Sequence, residues 1–272
     1  MQIKDRIKEL EEKRAHAQSW FSDPEKRKIS SNYDNRETSI VRFLSAETLI
    51  PYYEIKFKRK PASILDIGCG QGQMLEYLSE QLPHAELTGV DSSEDAINYA
   101  NELGINANFI CTDIKCLPLY ITDKKYDVIF IHLCFGLFKN PLKVLESLVP
   151  YLSDESFIYI VDLNRDSVKE GMSSVQTKDE ELYLYDQYNA SFTLSEFEQL
   201  LIYITEQRDG LTFKIGTSVI GGFSQFSADF LSLIGYKSLQ QALRQIPEDI
   251  NNPERKIPEL LHAWIIKNKT SV

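Results

Sequence analysis

The chain has 272 residues, 43% of them hydrophobic and 26% charged, a balance that excludes a disordered, collagen-like or disulfide-stapled protein. Its net charge of −10 is unevenly placed: residues 1–60 carry 14 Lys/Arg against 10 Asp/Glu, which leaves −14 on residues 61–272. A body that acidic repels a phosphate backbone, so no nucleic-acid partner is expected.

The N-terminal residues show no apolar leader, and the most apolar window, 126–138, falls far short of the roughly 20 residues that span a bilayer. The expectation is a cytoplasmic protein with no membrane partner. Cys69, Cys111, Cys116 and Cys134 lack the paired spacing of a metal site, so no metal is expected, and the thiols read as buried or half-buried in a reducing compartment. Residues 2–21 place Ile3, Ile7, Leu10, Ala17 and Phe21 at near-helical spacing, an amphipathic helix ended by Asp23-Pro24. A second helix is expected over about 36–53, followed by a basic link, 56–61. Residues 1–60 thus form a helical cap or lid, with a homodimer contact or ordinary packing as the alternatives for its first helix.

From Pro61 the pattern changes to short apolar strands alternating with helices. Strands are expected at 63–67, 86–90, 108–111, 126–132 and 157–161, with helices at 73–81, 95–103 and 141–151. That alternation means a parallel sheet covered by helices on both faces. A helix over 193–205, capped by Thr193 or Ser195, follows. Strands at 211–219 and 261–267 bracket a helical insert, 222–256. Residues 61–272 read as one α/β domain.

The chemistry gathers at strand ends. Strand one runs into Gly68-Cys69-Gly70-Gln71-Gly72, glycines that let the backbone approach a ligand at a helix N-terminus. Gln73 stands where a dinucleotide fingerprint wants glycine. Asp66 puts a carboxylate where a pyrophosphate would lie, and such an anion suits a cationic ligand better. Asp91, with Ser92 beside it, ends strand two where a carboxylate can accept both hydroxyls of a ribose. Asp113 can accept from an adenine amino group while Ile114 packs on the ring. His132 ends strand four at the ligand edge and is the candidate for removing an acceptor proton; a histidine merely hydrogen-bonded in place is the plain alternative. Tyr183, Tyr185 and Tyr188 follow strand five and are candidates for enclosing a substrate. Tyr33 and Arg36 are the cap residues expected to face the ligand. His84 and His262 read as surface or structural positions.

Taken in order, ILDIGCGQGQ, VDSS at 90–93, CTDIKCLP at 111–118, YDVIFIHLCF and NPLKVLESLVPYL resemble the class I S-adenosylmethionine-dependent methyltransferases. The resemblance covers about 61–162 firmly and touches 192–201 and 262–269; residues 1–60 and 222–256 match no family pattern. It implies a Rossmann-like seven-stranded sheet of order 3-2-1-4-5-7-6 with strand seven antiparallel. It also implies S-adenosylmethionine as cofactor and S-adenosylhomocysteine (SAH) as product. The acidic balance of residues 61–272 and the unmatched, aromatic-containing segments beside the carboxyl edge of the sheet lead to the expectation of a small-molecule or peptide acceptor, methylated on O or N. A nicotinamide-dependent oxidoreductase and a non-catalytic module that keeps the cofactor fold are the competing readings. The sequence does not name the acceptor.

Overall fold

The computed structural model describes residues 3–37, 39–219 and 259–269. The sequence-derived insert at 222–256 lies outside the described residues. Seven strands form one sheet of order β3-β2-β1-β4-β5-β7-β6: β1 Ser63–Ile67, β2 Glu86–Asp91, β3 Ala107–Cys111, β4 Tyr126–His132, β5 Leu152–Leu163, β6 Leu211–Val219 and β7 Glu259–Lys267. Strands β1 to β5 pair in parallel, and β7 runs antiparallel between β5 and β6.

Side-chain alternation sorts the central strands onto two cores. Leu65, Ile67, Ile129, Ile131, Ile158 and Ile160 point to one face, and Ile64, Val128, Phe130, Phe157, Tyr159 and Val161 to the other. A strand buried on both faces needs a continuous apolar run, and Phe157 to Val161 is buried throughout. Helices α5 (Gln73–Gln81), α6 (Glu94–Glu102), α7 (Pro141–Leu148) and α10 (Leu194–Glu206) cover the sheet. Their starts are written locally: Ser93 accepts from the Ala96 N–H, Asn140 from Lys143, and Thr193 forms a reciprocal capping box with Glu196. Each such cap contributes about 1 kcal/mol.

The N-terminal segment differs from the two-helix expectation. Among the described residues four helical stretches occupy it: α1 Ile3–Glu9, α2 Glu11–Ser22, α3 Pro24–Glu37 and α4 Ser39–Phe57. Asp23-Pro24, read as a stop, is also a start. Asp23 Oδ1 accepts from the N–H groups of Glu25 and Lys26 at 2.9 and 3.2 Å, and proline is at home in a first helical turn. The expected basic link shrinks as well, since Lys56 and Phe57 belong to α4, and Arg59 forms a two-pronged pair with the largely buried Asp127 at 2.7 and 2.9 Å. Helix α1 buries Ile3 and Ile7 in the first core, whereas α4 buries Ala46, Leu49, Tyr52 and Tyr53 in the second. The segment therefore runs from one face of the sheet to the other.

After β5 come α8 (Val168–Gly171) and α9 (Lys178–Ala190); α9 is a helix the apolar period did not reveal. It buries Glu180 and Gln187 beside Tyr183, Leu184 and Tyr188, so its inner face is half polar. Strand β5 is also longer than expected, entering through Glu155 at φ 58°.

Candidate functional site

The register brings the carboxyl ends of the parallel strands to one edge. Asp91 pairs with Cys111, Ile67 with Ile131, and His132 with Val161, one residue before Asp162. Every polar group singled out at a strand end in the sequence except His84 and His262 belongs to this edge or to the loops leaving it. His84 is exposed, and His262 is buried in β7 with Nδ1 2.9 Å from the Tyr159 hydroxyl.

The glycine turn is built by backbone geometry. Gly68 and Gly72 have φ of 73° and 80°, the left-handed region that favours glycine. Space forbids a side chain too: a Cβ on Gly68 would lie 2.5 Å from Cys134 Sγ, and one on Gly72 would lie 2.9 Å from Phe109 Cζ. The N–H groups of Gly68 and Cys69 both donate to the Val90 carbonyl, at 2.7 and 3.1 Å, which folds the turn onto β2. Asp91 then locks it from the side: Oδ2 accepts from the Gly70 N–H and Oδ1 from the Ser93 N–H, each at 2.9 Å. An ionised carboxylate has about four lone-pair positions, so both oxygens keep capacity for further donors while their direction is fixed.

Asp66 is buried at the end of β1, and burial, reinforced by the nearby Asp91 charge, lifts its carboxyl to about 7. Such a group is about half ionised near neutrality, and an arriving cation draws it to the charged form. Ser92 is exposed beside Asp91. Asp113 is half exposed and caps the short 3₁₀ turn that follows β3, accepting from the Lys115 N–H at 3.0 Å, and Ile114 packs partly against the first core.

At the tip of β4, His132 stacks on Phe130 at 5.4 Å between ring centroids. Its Nε2 is buried with no hydrogen-bond partner among the described residues. Burial, with the charges of Arg42 and His262, depresses its pKa to about 3, while a backbone hydrogen bond at Val41 works the other way. The ring is neutral in the working pH range and a weak base. Leu133, the next residue, has φ 52°, a strained conformation for a bulky side chain at the functional edge.

A second group of side chains lies where α2, α3 and α9 meet. Tyr183 is the hub, with Trp20, Tyr33 and Phe21 edge-on at 5.5, 5.8 and 6.1 Å. Its hydroxyl donates to Asp34 Oδ1 at 3.0 Å, and Tyr33 shares a 2.7 Å hydrogen bond with Ser174. Burial lifts Asp34 to about 6, against the pull of the Tyr183 hydrogen bond and Arg42. The three candidate tyrosines do not act together: Tyr188 is buried against Gly171, and Tyr185 is exposed on another side of α9. The side chain of Arg36 is outside the described residues. Sequence reasoning passed over Asp34, Arg42 and Asp162. Asp162 carried the same signal as Asp66, a carboxylate closing an apolar strand; Asp34 lay in a helix with no pattern of its own. Among the described residues no cluster of His, Cys, Asp and Glu has the arrangement to hold a metal ion. The four cysteines are unpaired, with Cys111 exposed rather than buried, and no described helix is long and apolar enough to cross a membrane.

Residues 58–209 match a family model described as a methyltransferase domain. The chain belongs to the class I S-adenosylmethionine-dependent methyltransferases. It is 67% identical to the plantazolicin methyltransferase BpumL, with 98% of this chain and 99% of that one covered and a TM-score of 0.88; the BpumL crystal structure holds a monoazolic desmethylPZN analog and SAH. Two curated relatives match more narrowly. The malonyl-[acyl-carrier protein] O-methyltransferase of Bacillus cereus is 30% identical over 140 residues, 51% of each protein. The probable (S)-tetrahydroprotoberberine N-methyltransferase 2 of Papaver bracteatum is 27% identical over 138 residues, which cover 49% of this chain. The chain thus spans about half, or in the second case 38%, of these curated relatives.

This methyltransferase uses S-adenosylmethionine and releases SAH, and its strand edge fits them. A carboxylate fixed by two backbone N–H groups, a buried carboxyl awaiting a cation and a side-chain-free turn suit a ribose, an ammonium and a closely approaching chain. The fold order inferred from the resemblance is the order observed. An oxidoreductase reading finds no support in these relatives.

Proposed function

We propose that this methyltransferase modifies an amine nitrogen at the end of an azole-bearing peptide. The observation that carries this reading is the likeness, over nearly the whole chain, to an enzyme crystallised with monoazolic, triazolic and pentazolic desmethylPZN analogs and SAH. The side chains supply the chemical reason. The Trp20–Phe21–Tyr33–Tyr183 group is an edge-on aromatic cluster whose Trp20, Tyr33 and Tyr183 are buried, so it braces the α2–α3–α9 junction around Asp34 rather than offering an open ring face. Asp34, half-buried beside them with Tyr183 donating to its Oδ1, suits a cationic amine better than a hydroxyl or a carboxylate.

On this reading Asp91 holds the ribose hydroxyls, Asp66 the amino group, and Asp113 with Ile114 the adenine, while Gly68, Cys69, Gly70, Gly72 and Ser92 line the cofactor turn. Tyr33 and Arg36 belong to a cap formed by residues 1–60. When bound, S-adenosylmethionine supplies a methyl group on a positively charged sulfur, so alignment is the main requirement placed on the protein. The acceptor nitrogen must present its lone pair, so an ammonium proton has to leave before attack. Asp34, at about 6, accepts it more readily than His132, at about 3. His132 then orients the amine by accepting an N–H at Nε2.

The test is mass spectrometry after incubation with S-adenosylmethionine and three synthetic acceptors: an azole-bearing peptide with a free amine, its N-acetylated form, and an azole-free peptide of equal length. Methyl addition to the first alone supports the proposal. Equal methylation of the acetylated form rejects the amine, and equal methylation of the azole-free peptide rejects the azole requirement.

A further inference from the structure

We propose that the open groove between α8 and α9 is a second acceptor subsite, which holds the carboxyl-terminal end of the peptide whose amine lies at Asp34. This inference rests on the azole-peptide reading and extends it from one end of the acceptor to the other.

The groove encloses about 520 Å3. From α9 it is lined by Lys178, Glu181, Leu182 and Tyr185, spaced i, i+3, i+4 and i+7, which is one stripe of a helix. Val168 and Met172 close it from α8 and the turn that follows. Both also pack against the Trp20–Tyr33–Tyr183 core, so one layer of side chains separates the groove from the cluster beside Asp34. The turn that carries Met172 is held from the cap, through the 2.7 Å hydrogen bond of Ser174 with Tyr33. Tyr183, whose hydroxyl meets Asp34, and Lys178 are five residues apart on α9. That is about 7.5 Å of rise, and passing around the helix adds a radius of about 5 Å. An extended chain gains about 3.3–3.6 Å per residue. An acceptor with several rings therefore spans the two places, and a monoazolic one falls short.

Two properties select the occupant. The floor is apolar and open: Leu182 and Tyr185 are 51% and 55% exposed. Tyr185 thus presents the ring face that Tyr183, packed edge-on in the core, does not, and such a face suits conjugated rings. The rim is basic, although residues 61–272 carry −14. Lys169 and Lys178 line the groove against the one carboxylate of Glu181, and among the described residues neither lysine forms an ion pair. Large apolar side chains exposed beside unpaired cations mark a binding surface, and the partner that matches this one is apolar with a negative end. A linear peptide with a free amine carries that charge at its other terminus. Asp34 then meets the ammonium end and the lysines meet the carboxylate, so both charges of one zwitterionic acceptor are matched in order along its length. Exposed ion pairs are weak, so the groove acts on acceptor affinity and leaves the methyl transfer itself alone.

The test compares kcat and KM of the full chain for three synthetic acceptors with a free amine: a pentazolic peptide acid, its carboxamide and a monoazolic peptide acid. The native enzyme should show a KM for the pentazolic acid about threefold to tenfold below that for the carboxamide. Lys169→Ala combined with Lys178→Ala should raise the KM of the pentazolic acid by about that factor and abolish the acid preference. The kcat should stay unchanged, and the monoazolic acceptor should stay within about twofold of native. Tyr185→Ala should raise the KM of both pentazolic acceptors about fivefold and spare the monoazolic one. All three side chains are exposed, so these changes leave the fold intact. A pentazolic KM unmoved in every variant, acid and carboxamide affected alike by the lysine changes, or a monoazolic acceptor weakened equally overturns the proposal. Failure of the amine reading is seen separately, as equal methylation of N-acetylated acceptors by the native enzyme. Methylation of none of the three acceptors overturns both.

Discussion

Cofactor binding should depend on pH through Asp66. Its carboxyl stands at about 7 in the free protein, raised chiefly by burial and then by Asp91, against about 3.9 for an unperturbed aspartate. A cationic amino group binds the ionised form, so at low pH a proton must first be removed. The sign follows: affinity rises with pH and levels off above the free-state value. Below it, each pH unit costs about 1.4 kcal/mol, so SAH should bind about tenfold more weakly at pH 6 than at pH 8. The assay is calorimetric titration with SAH at pH 6, 7 and 8 in two buffers of different ionisation enthalpy, which also counts the proton released near neutrality. Asp66→Asn should bind weakly at every pH and lose the slope. Affinity that is flat or falls with pH in the native chain, or a slope retained in Asp66→Asn, would refute the reasoning.

Asp91→Ala should weaken SAH tenfold or more, because a charge-assisted contact contributes roughly 1.5–3 kcal/mol and the Gly70 and Ser93 N–H groups lose their acceptor; calorimetry showing native affinity would reject the ribose assignment. It should also flatten the pH slope, since Asp91 helps hold Asp66 up. His132→Ala should lower turnover on the peptide acceptor at least tenfold. Because its pKa lies near 3, the native rate profile should show no histidine limb between pH 6 and 7, and a limb there that vanishes in the variant would contradict the burial argument. Gly72→Ala meets both a left-handed φ and the Phe109 ring, so a loss of about 1–3 kcal/mol and a thermal midpoint lower by several degrees are expected; an unchanged melting curve would show that the turn relaxes.

The sequence by itself determined the sheet, its helices from 73 to 206 apart from α8 and α9, and the polar residues at the ends of β1 to β4. The reason is that these features are local. A strand buried on both faces must be a continuous apolar run, a helix start needs Ser93, Asn140 or Thr193 at the cap, and a carboxylate that closes such a run stands out against it. Tertiary structure alone decided what the N-terminal helices and α9 do. Gln187 is buried with its amide on the Ala17 carbonyl, and half-buried Asp34 meets the Tyr183 hydroxyl, each across more than a hundred residues, so no period in the chain announces them. The pKa values were decided there too, because desolvation depends on everything packed around a group. Asp66 and Asp127 each follow an apolar or aromatic residue in or near a strand, yet burial lifts the first, while Arg59, Ala62 and Ser153 hold the second down.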